Sequence, residues 1–454
     1  MVFHNKKVLV IGLGRSGIAA AKVLAEQGAV VWATDGKPKE KLDLSQLSGA
    51  NVTVIAGKYP NVAELQPDML VLSPGVPHTV SPIQQAKALG IPLWSEIELA
   101  YRLTEAPIVA ITGTNGKTTT TALTGQLLSD AGIPGIVAGN IGKALTQEVI
   151  GLSGSETIIA EVSSFQLECI HRFRAKVAVV TNLTPDHLDR HGTFEGYIAA
   201  KARVLENQQP GDWAILNYDD PRVRELGATA KGKVLFFSRK EALQEGICLN
   251  DGKLVIRDSG GNETPVLPVS EILIRGPHNL ENAMAATGVA WALGLAPVQI
   301  AGTLRSFAGV AHRQEFVAEI NGVRYINDSK GTNPDAAIKA LEAFGEPIVL
   351  IAGGKNKGCD FNEFMTVVKR KVKELVLLGM AADELAQAAT AQGVAKIHRA
   401  DAFEQAVQIA ADLAKPGDVV LLSPACTSWD MFNSFEERGD LFKNLVRERL
   451  NKKA

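Results

Sequence analysis

The chain has 454 residues, more than one hydrophobic core usually serves, so about three domains are expected. Its 47 Lys+Arg against 49 Asp+Glu leave a formal net charge of -2, too balanced to draw it to nucleic acid or anionic lipid, and neither nucleic acid nor membrane is expected as a partner. Cys169, Cys248, Cys359 and Cys426 stand far apart without a Cys-x-x-Cys pair, which argues against a disulfide framework or zinc knuckle and for a reducing, cytoplasmic setting.

The chain opens on Met-Val-Phe-His-Asn-Lys-Lys and enters a short apolar run at 8–11, too short for a signal peptide; no uninterrupted apolar stretch reaches about 18 residues. Strand-like runs at 8–11, 30–33 and 69–72 alternate with helical patterns at 18–27 and 83–89, which indicates a parallel sheet wrapped by helices. Between the first strand and helix stands Gly12-Leu13-Gly14-Arg15-Ser16-Gly17, with Asp35 about twenty residues on, a dinucleotide-binding fingerprint. An NAD-dependent oxidoreductase is therefore an alternative. The pattern asks only for a diphosphate and a ribose, however, and a second phosphate loop further along favours a diphosphate-linked substrate against Gly14, Arg15, Ser16 and Asp35. Ser73-Pro74-Gly75, closing the strand at 69–72, adds a turn with amides beside that site.

The second loop follows the apolar run 107–109 and reads Ala110-Ile111-Thr112-Gly113-Thr114-Asn115-Gly116-Lys117-Thr118-Thr119. A strand ending near Ile111 and a helix opening near Lys117 would aim successive backbone amides and a helix N-terminus at phosphate oxygens. Gly113 and Gly116 allow that backbone, Lys117 reaches the β- and γ-phosphates, and Thr118 offers its hydroxyl to Mg²⁺. The general pattern wants glycine where Ile111 stands, so this is a variant. Gly113, Thr114, Asn115, Gly116, Lys117, Thr118 and Thr119 form the candidate triphosphate site.

Strands are expected at 157–160, 177–180 and 213–216. Glu161 closes the first of these, where a phosphate-loop enzyme keeps a carboxylate for Mg²⁺. The run Thr181 to His191 gathers acidic and imidazole groups at the end of the next. His187 is a candidate metal or phosphate contact; zinc held by His187 and His191 lacks a third soft ligand, and His191 is expected to be structural or at the surface. Lys201 reads as an ordinary helix-surface lysine. Residues 232–275 read as an antiparallel insert before a helix at 279–293. A third cycle follows, with strands from 324 and at 348–351, 375–378 and 419–422 and an amphipathic helix at 402–414; Arg305 and Arg447-Glu448-Arg449 are expected to face solvent. The fold class is α/β with three domains: Rossmann-like at 1–97, a central P-loop ATPase-type mixed sheet at 98–309, and Rossmann-like at 310–454.

Together these stretches resemble the Mur ligases of peptidoglycan precursor synthesis, from end to end. The resemblance rests on Gly113 to Thr118, Asn140-Ile141-Gly142, Glu161-Val162-Ser163-Ser164-Phe165-Gln166-Leu167-Glu168, Asn182 to Arg190 and Lys201. It implies ATP, two Mg²⁺ ions near Thr118, Glu161, His187 and Lys201, and carbamylation of Lys201, which turns a cation into a metal-supporting carboxylate. Ser163 to Glu168, Asn327-Asp328-Ser329-Lys330-Gly331-Thr332-Asn333 and Leu422 to Asp430 are similar to the member that adds D-glutamate to UDP-N-acetylmuramoyl-L-alanine. By that likeness Lys330, Thr332, Lys357, Ser428 and Phe435 surround D-glutamate, and Asn140 and His187 join the acceptor site, with His187 orienting the acyl phosphate or helping the amine lose its proton. Adenine and ribose would lie between the second and third domains, near Asn279, Asn282, His312, Arg313 and Asp328. A monomer is expected, and a Mur-type ligase adding another amino acid stays open.

Overall fold

The computed structural model describes residues 3–140 and 143–451. The expected Asn140-Ile141-Gly142 motif therefore lies partly outside the described residues, at Ile141 and Gly142. Among the described residues three sheets organise the fold.

The first contains β1 (Lys7–Ile11), β2 (Val30–Asp35), β3 (Val52–Ala56), β4 (Met69–Leu72) and β5 (Leu93–Ser95). All pair in parallel, in the order β3-β2-β1-β4-β5. Val8, Leu9, Val10 and Ile11 are fully buried, as expected for a central parallel strand covered on both faces. The order reverses between β1 and β4, and the turns Gly12–Gly17 and Ser73–Gly75 sit at the carboxyl ends of those two strands, where open α/β sheets bind ligands. Edge strands β3 and β5 carry half-buried side chains and no continuous apolar run, so the alternation did not reveal them.

The central sheet contains β6 (Ile108–Thr112), β7 (Gly135–Gly139), β8 (Thr157–Glu161), β9 (Val177–Val180), β10 (Trp213–Asn217), β11 (Lys233–Phe237), β12 (Gly246–Asn250), β13 (Lys253–Arg257) and β14 (Glu263–Pro268). Its order is β14-β13-β12-β11-β10-β9-β6-β8-β7. The antiparallel part is shorter than the sequence suggested. β11 follows the crossover helix Pro221–Leu226 and pairs in parallel with β10, so only β12 to β14 run antiparallel, joined at Asp251-Gly252 by a turn with φ of 46° and 70°. Ile158, Val180, Leu216 and Phe173 share one core under this sheet, each worth roughly 1.5–3 kcal/mol of burial.

The third sheet contains β15 (Glu315–Ile320), β16 (Val323–Asn327), β17 (Ile348–Gly353), β18 (Val372–Leu378), β19 (Ile397–Arg399) and β20 (Val419–Leu422), in the order β15-β16-β20-β17-β18-β19. All pairs are parallel except β15 with β16, which the Asn321-Gly322 turn folds back as an antiparallel edge. The first two sheets belong to one compact unit, Met1–Ile272 with Leu280–Ser306; the third belongs to another, Leu273–Asn279 with Phe307–Ala454. Among the described residues no helix is long and apolar enough to cross a membrane.

Candidate active site

The phosphate loop is held by neighbouring strands. β6 and β9 pair directly, which brings Thr181 and Asn182 against the turn after β6. Asn182 Oδ1 accepts from the Asn115 amide at 2.9 Å, Asn182 Nδ2 and Thr181 Oγ1 donate to Asn115 O at 3.1 and 2.6 Å, and the Thr114 amide donates to Asn182 O at 2.8 Å. The turn leaves room for no side chain at its glycines. A Cβ on Gly113 would stand 2.0 Å from Thr181 Oγ1, and one on Gly116, where φ is +84°, would stand 2.2 Å from Asn282 Oδ1. From Gly116 the helix Lys117–Asp130 opens with no acidic residue in its first turn, leaving its positive end for an anion. Thr118 and Thr119 are buried there, and Thr119 Oγ1 has no partner among the described residues.

Two lysines meet at this turn. Lys117 Nζ donates to Gly113 O and Thr114 O at 2.9 and 2.7 Å. Lys201 Nζ donates to Gly113 O at 2.8 Å and lies 4.8 Å over the Tyr197 ring. The local helix pattern alone suggests a surface lysine at Lys201, but it is only 2% exposed, because the helix Phe194–Ala202 turns Tyr197, Ala200 and Lys201 inward. Burial, then the charge of Lys117, hold its amine well below the usual lysine range, against the opposing pull of Asp186 and Glu161.

Glu161, at the end of β8, is 2% exposed. Its Oε1 accepts from Asn140 Nδ2 at 2.9 Å, while Oε2 is buried with no hydrogen-bond partner among the described residues. A buried carboxyl oxygen left in that state is costly unless a donor or a cation completes it. Among the described residues no three His, Cys, Asp or Glu form a metal cage. Magnesium needs none: one or two carboxylates, a hydroxyl, water and phosphate oxygens suffice, so Glu161 and Thr118 fit it. His187 is exposed, has φ of 52°, and sets its ring 4.8 Å from that of Phe165 and its Nε2 3.6 Å from Asp186 Oδ2. His191 spends both ring nitrogens inside the protein, Nδ1 3.3 Å from Glu168 Oε1 and Nε2 3.0 Å from Ser164 Oγ, which leaves neither for zinc.

In the first sheet Gly14 caps the helix Arg15–Glu26, with Ser16 half-buried in its first turn. Asp35 Oδ2 accepts from the Leu13 amide at 2.8 Å and Oδ1 from the Lys37 amide at 2.9 Å. The carboxylate thus braces the glycine turn, with only its remaining lone pairs for a ligand. The Ser73 amide bonds Ile11 O, and Arg15 Nη2 donates to Asn140 O at 3.3 Å, tying the first sheet to the loop after β7.

In the C-terminal unit Asp328 directly follows β16, 3% exposed, accepting from the Gln314 amide at 3.2 Å and Ser423 Oγ at 2.7 Å. Burial pushes its carboxyl up to about 6 despite Arg313 and those hydrogen bonds. Arg313 stands between His312 and Gln314, whose φ values of 62° and 46° are strained for non-glycine residues, and its buried Nε lacks a partner among the described residues. His278, kept neutral by burial at about 3, lies with Nε2 2.9 Å from Gln314 Nε2. Asn279 Nδ2 donates to Arg275 O at 2.8 Å in this unit, whereas Asn282 sits beside the phosphate loop, accepting from Thr120 Oγ1 at 3.4 Å. Lys330 Nζ lies 5.4 Å over the Phe435 ring and the Thr332 amide bonds Lys330 O. Exposed Lys357 sits 5.3 Å over Trp429, next to buried Ser428.

Sequence profiles of three Mur ligase domains match the chain: the MurD-like N-terminal domain at residues 6–95, the middle domain at 111–290 and the glutamate ligase domain at 312–426. A UDP-N-acetylmuramoylalanine--D-glutamate ligase of Pelotomaculum thermopropionicum is 56% identical over 446 residues, 98% of each chain. The chain belongs to the Mur ligase family. A D-glutamate ligase of Desulfitobacterium hafniense is 52% identical over 98% of each chain. Among solved structures, UDP-N-acetylmuramate-alanine ligase from Thermotoga maritima is similar in fold (TM-score 0.61, 17% identity, 98% of this chain and 99% of that one), as is a pseudomurein peptide ligase from Methanothermus fervidus (0.60, 18%, 98% and 100%).

In this Mur ligase Arg438, which no sequence motif marks, braces two loops of the C-terminal unit. Arg438 is 1% exposed; its Nε and Nη2 donate to Ser329 Oγ and O at 2.9 and 2.8 Å, and both Nη atoms lie 3.3 Å from Cys426 O. It joins the loop of Lys330 to the loop of Ser428, and burial lowers its guanidinium to about 10. The signal was present: in the helix Phe435–Asn451, Arg438 falls at helical spacing between half-buried Phe435 and the buried Phe442 and Val446.

Proposed function

We propose that this Mur ligase joins D-glutamate to UDP-N-acetylmuramoyl-L-alanine with ATP, through an acyl phosphate, in peptidoglycan precursor synthesis. The observation that carries the reading is the 56% identity to a D-glutamate ligase across 98% of both chains. A carboxylate is a poor electrophile. Its oxygen attacks the γ-phosphorus of ATP and ADP departs; the D-glutamate amine then attacks the acyl carbon, phosphate leaves, and the nitrogen loses a proton.

Lys117 and the amides of the Gly113–Thr119 turn hold the triphosphate in line, and most of the rate comes from that positioning and charge compensation. Thr118 and Glu161 would hold magnesium, which screens the repulsion between ATP and the acceptor carboxylate. A second magnesium would rest on Lys201 as its carbamate, with His187. To form the carbamate, neutral Lys201 Nζ attacks CO₂, a C–N bond forms and a proton is released; the depressed basicity of this buried amine supports that chemistry.

The acceptor is assigned to Gly14, Arg15, Ser16, Asp35, Ser73, Asn140 and His187. Lys330, Thr332, Lys357, Ser428 and Phe435 take D-glutamate: lysines suit its carboxylates, hydroxyls add direction, and Phe435 supplies a wall. Asn279, Asn282, Arg313 and Asp328 take adenosine. Functional domains at 1–97, 98–309 and 310–454, a cytoplasmic location and a monomeric state complete the reading.

Phosphate release, screened over amino acids with the UDP-linked acceptor, tests it. Release that needs both acceptor and D-glutamate supports the assignment. Preference for another amino acid would move the chain to a different Mur ligase activity, and ATP-independent turnover of nicotinamide would favour an oxidoreductase.

A further inference from the structure

Glu168 and Arg190 form a connection that the phosphate chemistry does not use. The pair is largely shielded, with side chains 16% and 14% exposed. Arg190 Nη2 donates to Glu168 Oε2 at 2.6 Å and Nε to Oε1 at 3.4 Å, while Nη1 donates to the carbonyl of Val76 at 2.7 Å. His78 Nε2 lies 3.3 Å from the same Glu168 Oε2. Val76 and His78 belong to the segment that leaves the first sheet after β4; Glu168 and Arg190 belong to the short helical segments that follow β8 and β9 of the central sheet.

Both ends of this connection lead to assigned ligand positions. The Val76 amide closes a turn onto Ser73 O, and Val76 packs so tightly against Gly12 that a Cβ there would stand 2.5 Å from its Cγ2. That end therefore fixes Ser73 and the glycine turn carrying Gly14 and Arg15. At the other end the Arg190 guanidinium lies 4.6 Å over the Phe165 ring, which packs edge-on against His187 at 4.8 Å. Burying an ion pair brings little net stability, but a planar fork with two partners at fixed angles sets position well.

We propose that Arg190 is a positioning residue, which through Glu168, Val76 and Phe165 fixes the acceptor-binding turns of the first sheet against the segment carrying His187. The inference rests on the ligase reading above and deepens it: the sugar-nucleotide acceptor spans both sheets, its diphosphate at the glycine turn and its carboxylate near the phosphate loop. The phosphate loop itself is braced separately, by Thr181 and Asn182, so binding of ATP does not depend on Arg190.

The test is steady-state kinetics of the full chain with Arg190→Lys, Arg190→Met and Glu168→Gln. Lysine keeps the charge but cannot bridge Glu168 and Val76 together, and glutamine keeps the shape of Glu168 without its charge. The expected result is a KM for the UDP-linked acceptor raised roughly tenfold to hundredfold in each variant, with KM for ATP and D-glutamate within about twofold of the parent. An unchanged acceptor KM in folded Arg190→Lys, or acceptor and ATP KM rising together with a lowered Tm, would overturn the proposal. If Arg190→Met does not fold, the lysine and glutamine variants carry the same contrast. Failure of the parent chain to make the amide would instead refute the ligase reading.

Discussion

Lys117 and Lys201 donate to one carbonyl oxygen, their Nζ atoms 2.9 and 2.8 Å from Gly113 O. Two ammonium groups sharing one acceptor, one of them buried, repel each other. Burial and that repulsion together hold the Lys201 amine well below the usual lysine range, so loss of its charge relieves both. Under the proposed function, carbamylation of Lys201 would go further and exchange the buried cation for an anion, in a protein where Glu161 Oε2 is also buried without a hydrogen-bond partner among the described residues.

Replacing Lys201 by alanine is expected to cut turnover about a hundredfold or more, by removing charge that organises the transition state. Formate or acetate should restore part of the rate by occupying the vacated anionic position. Full activity without additives would exclude the carbamate.

Lys117 has a different signature. Lys117→Ala should reduce D-glutamate-dependent ADP release by at least about a thousandfold, since positioning and charge compensation supply nearly all phosphoryl-transfer catalysis. No small acid should rescue it. Retained ADP release, followed by a coupled nucleotide assay, would remove the phosphate loop from the mechanism.

At Gly116 the constraint is steric and local. Alanine there meets Asn282 Oδ1 and must adopt φ near +84°, a combination costing on the order of 1–3 kcal/mol. Calorimetry should show weakened ATP binding together with a lower melting temperature. Normal binding would mean that the turn opens more freely than its contacts with Thr181 and Asn182 imply.

Asp328 makes a prediction for stability against pH. Its folded carboxyl sits at about 6, above the unfolded value near 3.9, so between those values the native state holds a proton that the unfolded chain has released. Stability from this group is thus highest below the unfolded value and falls as pH rises through about 4 to 6, by on the order of 2–3 kcal/mol. Asp328→Asn should be more stable than the parent in denaturant melts near pH 7.5 and lose that advantage near pH 4, while its activity falls. An equal difference at both pH values would show that ionisation of Asp328 costs nothing.

Much of the architecture could be read from residues alone because buried parallel strands are continuous apolar runs. Residues 8–11, 177–180 and 419–422 announced themselves in this way. Edge strands did not: β3 and β5 are only partly covered, and β11 reads like the antiparallel hairpins after it although it joins its neighbour in parallel. The phosphate loop was legible because its chemistry is local in sequence. Lys201, Glu168, Arg190 and Arg438 were not, because what matters in each is burial or a partner from another element. Lys201 differs from a surface lysine only in which way a nine-residue helix turns. Resemblance to the family, not spacing, singled it out beforehand.

The most direct measurement of the central claim uses acceptor labelled with ¹⁸O in its free carboxylate, together with ATP and D-glutamate. Mass analysis is expected to find the amide product and one labelled oxygen in the released phosphate, because the carboxylate oxygen that attacks phosphorus leaves with it. Amide formed with unlabelled phosphate would contradict an acyl phosphate, and absence of amide from the folded chain would contradict the assigned function.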